Sequence, residues 1–286
     1  YIDRGRATNT IRDICKFTNL KWGIQVVNNN SGKVLIYSNI FEYDRPDDAT
    51  TCNHFSRCSN SEIIISNKNK FNISAGTGIS VFLSQPKELV IDDNDFSSNG
   101  TKVKTISLSS LTNNSNRIHN NRFYFSGALS DDNSVSLTNV NHLEFKKNIV
   151  NNNSNIVHSK PFLKAFNCKY SVFKNNELHG FANGMVISSS ADNGYCCNII
   201  DQEGGTENEP SFYIIGDSPS NIVQNTFNTF TFNALTQGYM KPQIDNGNMW
   251  VGAGQSATLQ NGDPLKATEN KFAVNLAQAG SVPRIN

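Results

Sequence analysis

The sequence predicts an all-β solenoid of about ten stacked coils, each coil averaging about 26 residues and made of three short parallel strands. Three observations carry that expectation. Helical periodicity is nearly absent, because few windows place apolar residues at i, i+3, i+4 and i+7, and Asn, Ser, Thr and Gly interrupt those that begin. Short β-branched or aromatic runs recur instead: Val34-Leu35-Ile36, Ile63-Ile64-Ile65, Leu89-Val90-Ile91, Val135-Ser136-Leu137 and Phe212-Tyr213-Ile214-Ile215. Each run is followed by an Asn-x-apolar motif at a nearly constant interval.

The motif begins at Asn39, Asn69, Asn94, Asn121, Asn148, Asn176, Asn198, Asn225, Asn248 and Asn270, with gaps of 22 to 30 residues. Three residues before the Asn stands another apolar residue in most repeats (Ile36, Ile91, Ile118, Phe145, Phe173, Tyr195, Ile222). About thirteen before it lies a third strand, marked by Val26, Val81, Leu108, Val135, Leu163, Met185 and Phe212. Coils stacked at roughly 4.8 Å would make a rod roughly 48 Å long. Asn suits the sharp turn because it tolerates positive φ, and stacked Asn side chains can hydrogen-bond from coil to coil. The residue two positions later, often Phe, points inward and forms an aromatic column.

Composition sets outer limits. The 286 residues are 37% hydrophobic and 17% charged, and 25 Lys and Arg balance 24 Asp and Glu. That balance lacks the basic excess needed to neutralise phosphates, so a nucleic-acid partner is not expected. No apolar run approaches the roughly 20 residues of a membrane span. Asn accounts for 43 residues, yet 18 Phe and abundant Ile, Val and Leu supply a core. Tyr1-Ile2-Asp3-Arg4 has neither an initiator Met nor a following apolar stretch, so a fragment of a longer chain is expected. Residues 1–275 read as one solenoid, and 276–286 as a terminal cap or linker.

Asn at a tight turn, an inward aromatic two residues on and three strands per coil resemble the right-handed parallel β-helix of the pectate-lyase-like superfamily. That group includes pectinases, alginate epimerases, chondroitinase-type lyases and bacteriophage tailspikes. Within it, the low charge and Asn/Ser/Thr-rich texture look most like a phage tailspike or capsule depolymerase body. The resemblance implies a homotrimer in a virion tail, or an extracellular protein, acting on a bacterial surface polysaccharide as glycoside hydrolase or lyase. A non-catalytic receptor-binding rod and a free secreted lyase or epimerase remain alternatives. No segment aligns with one family's catalytic signature.

The repeat also sorts outward residues into rows. Lys70, Asp95 and Arg122 follow the Asn; Asp92, His119, Lys146 and Lys174 precede it by two; Arg117 neighbours Glu144. Alternating sign makes these rows an exposed charge ladder that pins register. A different row, three residues after the Asn, holds Tyr124, Asn151, His179 and Asp201. A phenol, an amide, an imidazole and a carboxylate in line can stack on a sugar, hydrogen-bond hydroxyls and move a proton. The plain alternative is a polar solvent-facing row. His179, Asp201 and Glu203 are the candidate catalytic residues, and Tyr124, Asn151, Lys160, Tyr213 and Asp217 the candidate substrate-binding ones. Asp201 and Glu203 share the acidic loop 201–210 with Asp217 one coil on, and Asp131, Asp132 and His158 to Lys160 occupy equivalent loops. Carboxylates one or two coils apart would match retaining or inverting glycosidase spacing. No cofactor is expected; calcium is the one metal Asp201 and Glu203 would suit, without a recognisable ligand spacing.

Trp22, Tyr37, Tyr43, Tyr124 and Tyr213 are candidate exposed platforms for sugars, with Trp250 assigned to the core. Glu42 to Asp48 reads as a protruding loop, and His54 as a loop residue. Six Cys (15, 52, 58, 168, 196, 197) lack metal spacing and are read as reduced thiols, with a Cys52–Cys58 bridge left open.

Overall fold

Parallel strands stack coil on coil in a computed structural model, and no helix occurs among the described residues. Those residues are 15–44, 50–113, 115–127, 133–152, 160–181, 184–188, 190 and 193–200, with backbone alone at 101, 102, 196 and 199. Short strands before and after them add backbone pairing. Each coil runs through a front strand after the repeat Asn, a side strand, and a back strand that leads to the next Asn. Front and side strands form one 18-stranded sheet, and back strands a second of nine. The regular solenoid is about five turns long rather than the ten expected.

The Asn ladder is continuous from Asn39 to Asn198. In every step Nδ2 of one Asn donates to Oδ1 of the next, and in all but the Asn69 to Asn94 step the backbone N–H donates to it as well, as from Asn94 to Asn121 at 3.0 and 3.1 Å. Nδ2 also donates to a back-strand carbonyl of the preceding coil, such as Ile91 for Asn121, so the buried amide is satisfied. These Asn do not take the left-handed conformation expected of them. The positive φ falls one residue earlier, at Ser38, Lys68, Asp93, Asn120, Lys147, Asn175 and Cys197. The two tasks are divided: one residue turns the chain, and the Asn after it carries hydrogen bonds inside.

Phe17, Phe41, Phe71, Phe96 and Phe123 stack at 4.7–4.9 Å with rings within 9° of parallel. This column then continues as Val150, Leu178 and Ile200. Phe162 packs edge-on to Phe123 at 5.1 Å, occupying interior space beside the smaller residues. The third-strand marker divides into two inward columns. Val26, Val81 and Leu108 continue into Leu137, whereas Val135, Leu163, Met185 and Phe212 align with Ile106.

Several local expectations change. Glu42 and Tyr43 belong to the front strand Ile40–Tyr43, and Tyr43 is buried, so it is no sugar platform. Its place beneath Gly23 explains the burial: a Cβ on Gly23 would lie 2.8 Å from the Tyr43 hydroxyl. His54 sits on the side strand Thr51–Ser56 and its ring stacks near Trp22, at 6.5 Å. Cys52 and Cys58 are both buried free thiols. Arg117 pairs with Glu88 at 3.0 Å rather than with its register neighbour Glu144, which reaches Lys146 at 2.9 Å. Asp95 and Arg122 approach to 3.7 Å, consistent with a charge ladder.

Candidate functional site

Front strands alternate inward and outward with period two, and their parallel register extends without slippage through the candidate row. Tyr124 is opposite Asn151, Asn151 opposite His179, and His179 opposite Asp201. Four of the eight candidate residues therefore share one line of backbone positions, spaced roughly 4.8 Å apart. Thr18, Glu42, Asn72 and Ser97 continue it toward the N-terminal end.

Burial on either side holds this row. Phe123 and Phe125 bracket Tyr124 and are both within 1% of complete burial, so the intervening ring projects outward at 38% exposure. Asn151 and His179 are half-buried. Past His179 the chain turns at Gly180 with φ of 82°, and Asn152 Nδ2 donates to the Gly180 carbonyl at 2.6 Å. A Cβ at Gly180 would come 2.7 Å from Asn152 Cβ, so this close approach requires glycine. The imidazole is thus mounted on a strand end tied to the preceding coil.

Two residues before His179, on the same side of the strand, stands exposed Glu177, which sequence reasoning passed over. Its row reads Lys70, Asp95, Arg122, Ile149, Glu177, and following that row past Arg122 would have found it. Glu177 and Asp201 lie one coil and two residues apart, which places their backbones about 8 Å from each other. Asp95 and Glu177 lie three coils apart, about 14 Å.

The remaining candidates do not join this line. Lys160 is exposed just before the side strand Leu163–Phe166. Tyr213 belongs to the side strand Phe212–Ile215, paired with Val186, so a corner of the coil separates it from the front row. For Asp201 and Tyr213 the backbone alone is described. Glu203, Asp217, Asp131, Asp132, His158, Ser159, Trp250, 45–49 and 276–286 lie outside the described residues. Among the described residues no group of three His, Cys, Asp or Glu is placed to hold a metal ion.

A second titratable cluster lies on the back face. Asp92, His119, Lys146 and Lys174 share a row. His119 Nε2 is 3.3 Å from Glu144 Oε2. Burial lowers the His119 pKa, and the Glu144 charge offsets that only in part. Burial would raise the Glu144 pKa, but the Lys146 hydrogen bond and charge leave it lowered. Glu144 is engaged by Lys146 of its own strand and by His119 of the preceding coil, while Asp92 accepts from the Asn120 amide at 2.7 Å, so this face is organised as polar pairs within and between coils.

Among the described residues the exposed aromatics are Trp22, with Lys21 Nζ 5.1 Å from its ring centre, together with Tyr124, Phe82, Phe166 and Tyr170. The last three were not anticipated. Tyr37 is half-buried. Comparison with protein-family models, with curated proteins and with solved structures finds no match for this chain.

Proposed function

We propose that this solenoid binds a polysaccharide along its front face and acts on it near His179. The single observation that supports the reading is the unbroken register that lines up Tyr124, Asn151, His179 and Asp201. An exposed phenol offers a stacking face for a sugar ring, and the amide one coil on offers both a donor and an acceptor to hydroxyls. His179 is the group that would exchange a proton, either with a carbon beside a uronate carboxyl or with a glycosidic oxygen. Asp201, Glu203 and Glu177 are the carboxylates available to orient it or to act as the acid and base of hydrolysis. Lys160, Tyr213 and Asp217 would widen the contact if the glycan passes round the front corner.

The finer version is a phage tailspike depolymerase: a trimeric pectate-lyase-like β-helix in a virion tail, with bacterial capsule or O-antigen as substrate. A secreted lyase or epimerase is its enzymatic rival. Binding without cleavage is a second reading, favoured by one distance. Asp95 and Glu177, the described carboxylates of their row, are about 14 Å apart, beyond both glycosidase spacings.

The test is a panel of capsular and O-antigen polysaccharides, scored for binding, for reducing ends and for the ultraviolet absorbance of an unsaturated uronate. Retained activity in His179→Ala, Asp201→Asn and Glu203→Gln would remove the catalytic assignment. Binding without product by the wild-type chain would leave the receptor-binding rod. Unchanged binding by Tyr124→Ala would overturn the front row as the glycan site.

A further inference from the structure

The corner between side and back strands carries an unexpected pair of rings. His142 and Tyr170 occupy equivalent positions in successive coils, since His142 N–H donates to the Lys169 carbonyl and Asn141 pairs with Lys169. Both backbones are left-handed, with φ of 50° and 55°. The corresponding corner nearer the N-terminal end has φ of 52° and is occupied by Asn60, a residue type that tolerates this conformation. Left-handed residues recur at the turns of this solenoid, and His, like Asn, is enriched there, but a tyrosine is an uncommon choice.

The rings are also presented outward. They stack at 5.2 Å and 21°, and Tyr170 is 54% exposed, the most of any exposed large hydrophobic side chain described. Phe166, 45% exposed, stands on the adjoining side strand, next to a 2.6 Å bond between Asn167 Nδ2 and Asn139 Oδ1.

Charge gives the corner a preference. Residues 149–176, the coil that carries Tyr170, contain Lys160, Lys164, Lys169 and Lys174 and no Asp or Glu. Lys164 shares the side strand with Phe166, Lys169 is next to Tyr170, and Lys174 ends the following back strand. Lys164 and Lys169 are exposed. The carboxylate on the neighbouring back strand, Glu144, is engaged by Lys146 at 2.9 Å and approached by His119 at 3.3 Å. In a chain that is nearly neutral overall, the coil that carries Tyr170 is therefore net positive.

We propose that the His142–Tyr170 step is a binding site for an anionic polysaccharide, one carrying carboxylate or sulfate groups, separate from the front row. Tyr170 and His142 receive the faces of sugar rings, and Lys169 and Lys164 pair with the acidic substituents. The proposal does not depend on the front row being catalytic or even glycan-binding.

The experiment measures binding of the full chain to polygalacturonate and to heparin, with dextran as a neutral control, at low and high salt. Wild type is expected to bind at least one anionic polymer, more weakly as salt rises, and to prefer it to dextran. Tyr170→Asn relieves left-handed strain and His142→Asn exchanges two residue types that tolerate that conformation, so each should keep or raise the melting temperature while weakening that binding by about tenfold. Lys169→Gln should weaken it and flatten the salt dependence. Lys87→Gln, which removes an exposed lysine on a coil nearer the N-terminal end, should leave the binding unchanged, which separates this site from a general effect of surface charge. Failure of wild type to bind either anionic polymer, or unchanged binding by Tyr170→Asn and His142→Asn, would overturn the proposal.

Discussion

Asn148 Oδ1 accepts two hydrogen bonds from Asn121, one from its backbone N–H and one from its Nδ2, each at 3.1 Å. Asn121 in turn accepts the same pair from Asn94 and donates to the carbonyls of Ile91 and His119. Replacing Asn121 by Leu would strip the Asn94 N–H of its acceptor and take one bond each from the Asn94 amide, Asn148 Oδ1 and the Ile91 and His119 carbonyls, of which the Asn94 amide keeps Ile65 and the His119 carbonyl keeps Asp93 N–H. A loss of about 3 kcal/mol or more is expected, since each buried unsatisfied group costs about 1–3 kcal/mol. The adjacent Asn120, which turns the chain at φ of 53° and is exposed, should accept Gly with a change of a few tenths. Urea denaturation of both variants checks this contrast between neighbours.

The ladder and the Phe column were legible in the sequence because each coil repeats the same chemical identity at the same inward position. The front row was legible for a related reason: Tyr124, Asn151, His179 and Asp201 sit at a fixed short offset from the ladder Asn, and no loop intervenes. Side-strand positions lie beyond a corner whose length varies. In two coils it is spanned by the continuous strands Lys70–Phe82 and Asp95–Leu111, and in others by a loop. Counting back from the Asn therefore slipped by two residues at Val135. The turning residue was misassigned because Ser38, Lys68, Asp93 and Cys197 share backbone geometry but no side-chain chemistry. Tyr43 failed likewise: its column runs Tyr43, Ile73, Ser98, Phe125, and a mixed column shows no repeat.

Asn53 is a polar residue in the wrong place for stability. It lies between Ile24 and Ile79 in register, is fully buried, and neither its Nδ2 nor its Oδ1 has a hydrogen-bond partner. Asn53→Val should remove two unsatisfied atoms and extend the aliphatic column, stabilising the fold by about 1–2 kcal/mol. A rise in the midpoint of thermal or urea unfolding is expected. A fall would indicate that the amide is satisfied by solvent inside the solenoid.

Acidification should weaken the fold first through histidine. Burial lowers the pKa of His54 and of His119, the latter despite the Glu144 charge. The unfolded chain then binds protons more readily than the folded one, so this stability is complete above about pH 6.5 and declines as pH falls below it. It levels off once the pH is below the folded values. The lowered carboxylates of Glu62, paired with Lys33, and of Glu144 lose their contribution at lower pH, below their ordinary value of 4.5. Unfolding midpoints across pH 5–8 should slope upward, and the double variant His54→Gln, His119→Gln should flatten that slope.

Cysteine substitution separates two kinds of buried thiol. In four coils the position after the side strand holds Cys58, Ser84, Cys168 or Ser190, with Leu111 and Val140 in the two between, and the backbone N–H of each Cys donates to the Ser Oγ of the next coil, at 3.1 and 3.0 Å. Ser84 and Ser190 donate to the carbonyl two residues earlier at 3.0 Å. Cys58 and Cys168 point their Sγ at the same carbonyl, at 3.6 and 3.5 Å. A hydroxyl is the better donor for that acceptor, so Cys58→Ser and Cys168→Ser should change stability by less than about 1 kcal/mol. Cys52 is fully buried, its thiol pKa pushed up by burial, and its Sγ bonds to no other residue's carbonyl. Cys52→Ser would place a hydroxyl there without a partner, and a loss of about 1–3 kcal/mol is expected. Equal losses at all three positions in urea denaturation would mean that the cysteines are held by packing alone and that the Cys–Ser turn is not a hydrogen-bonded ladder.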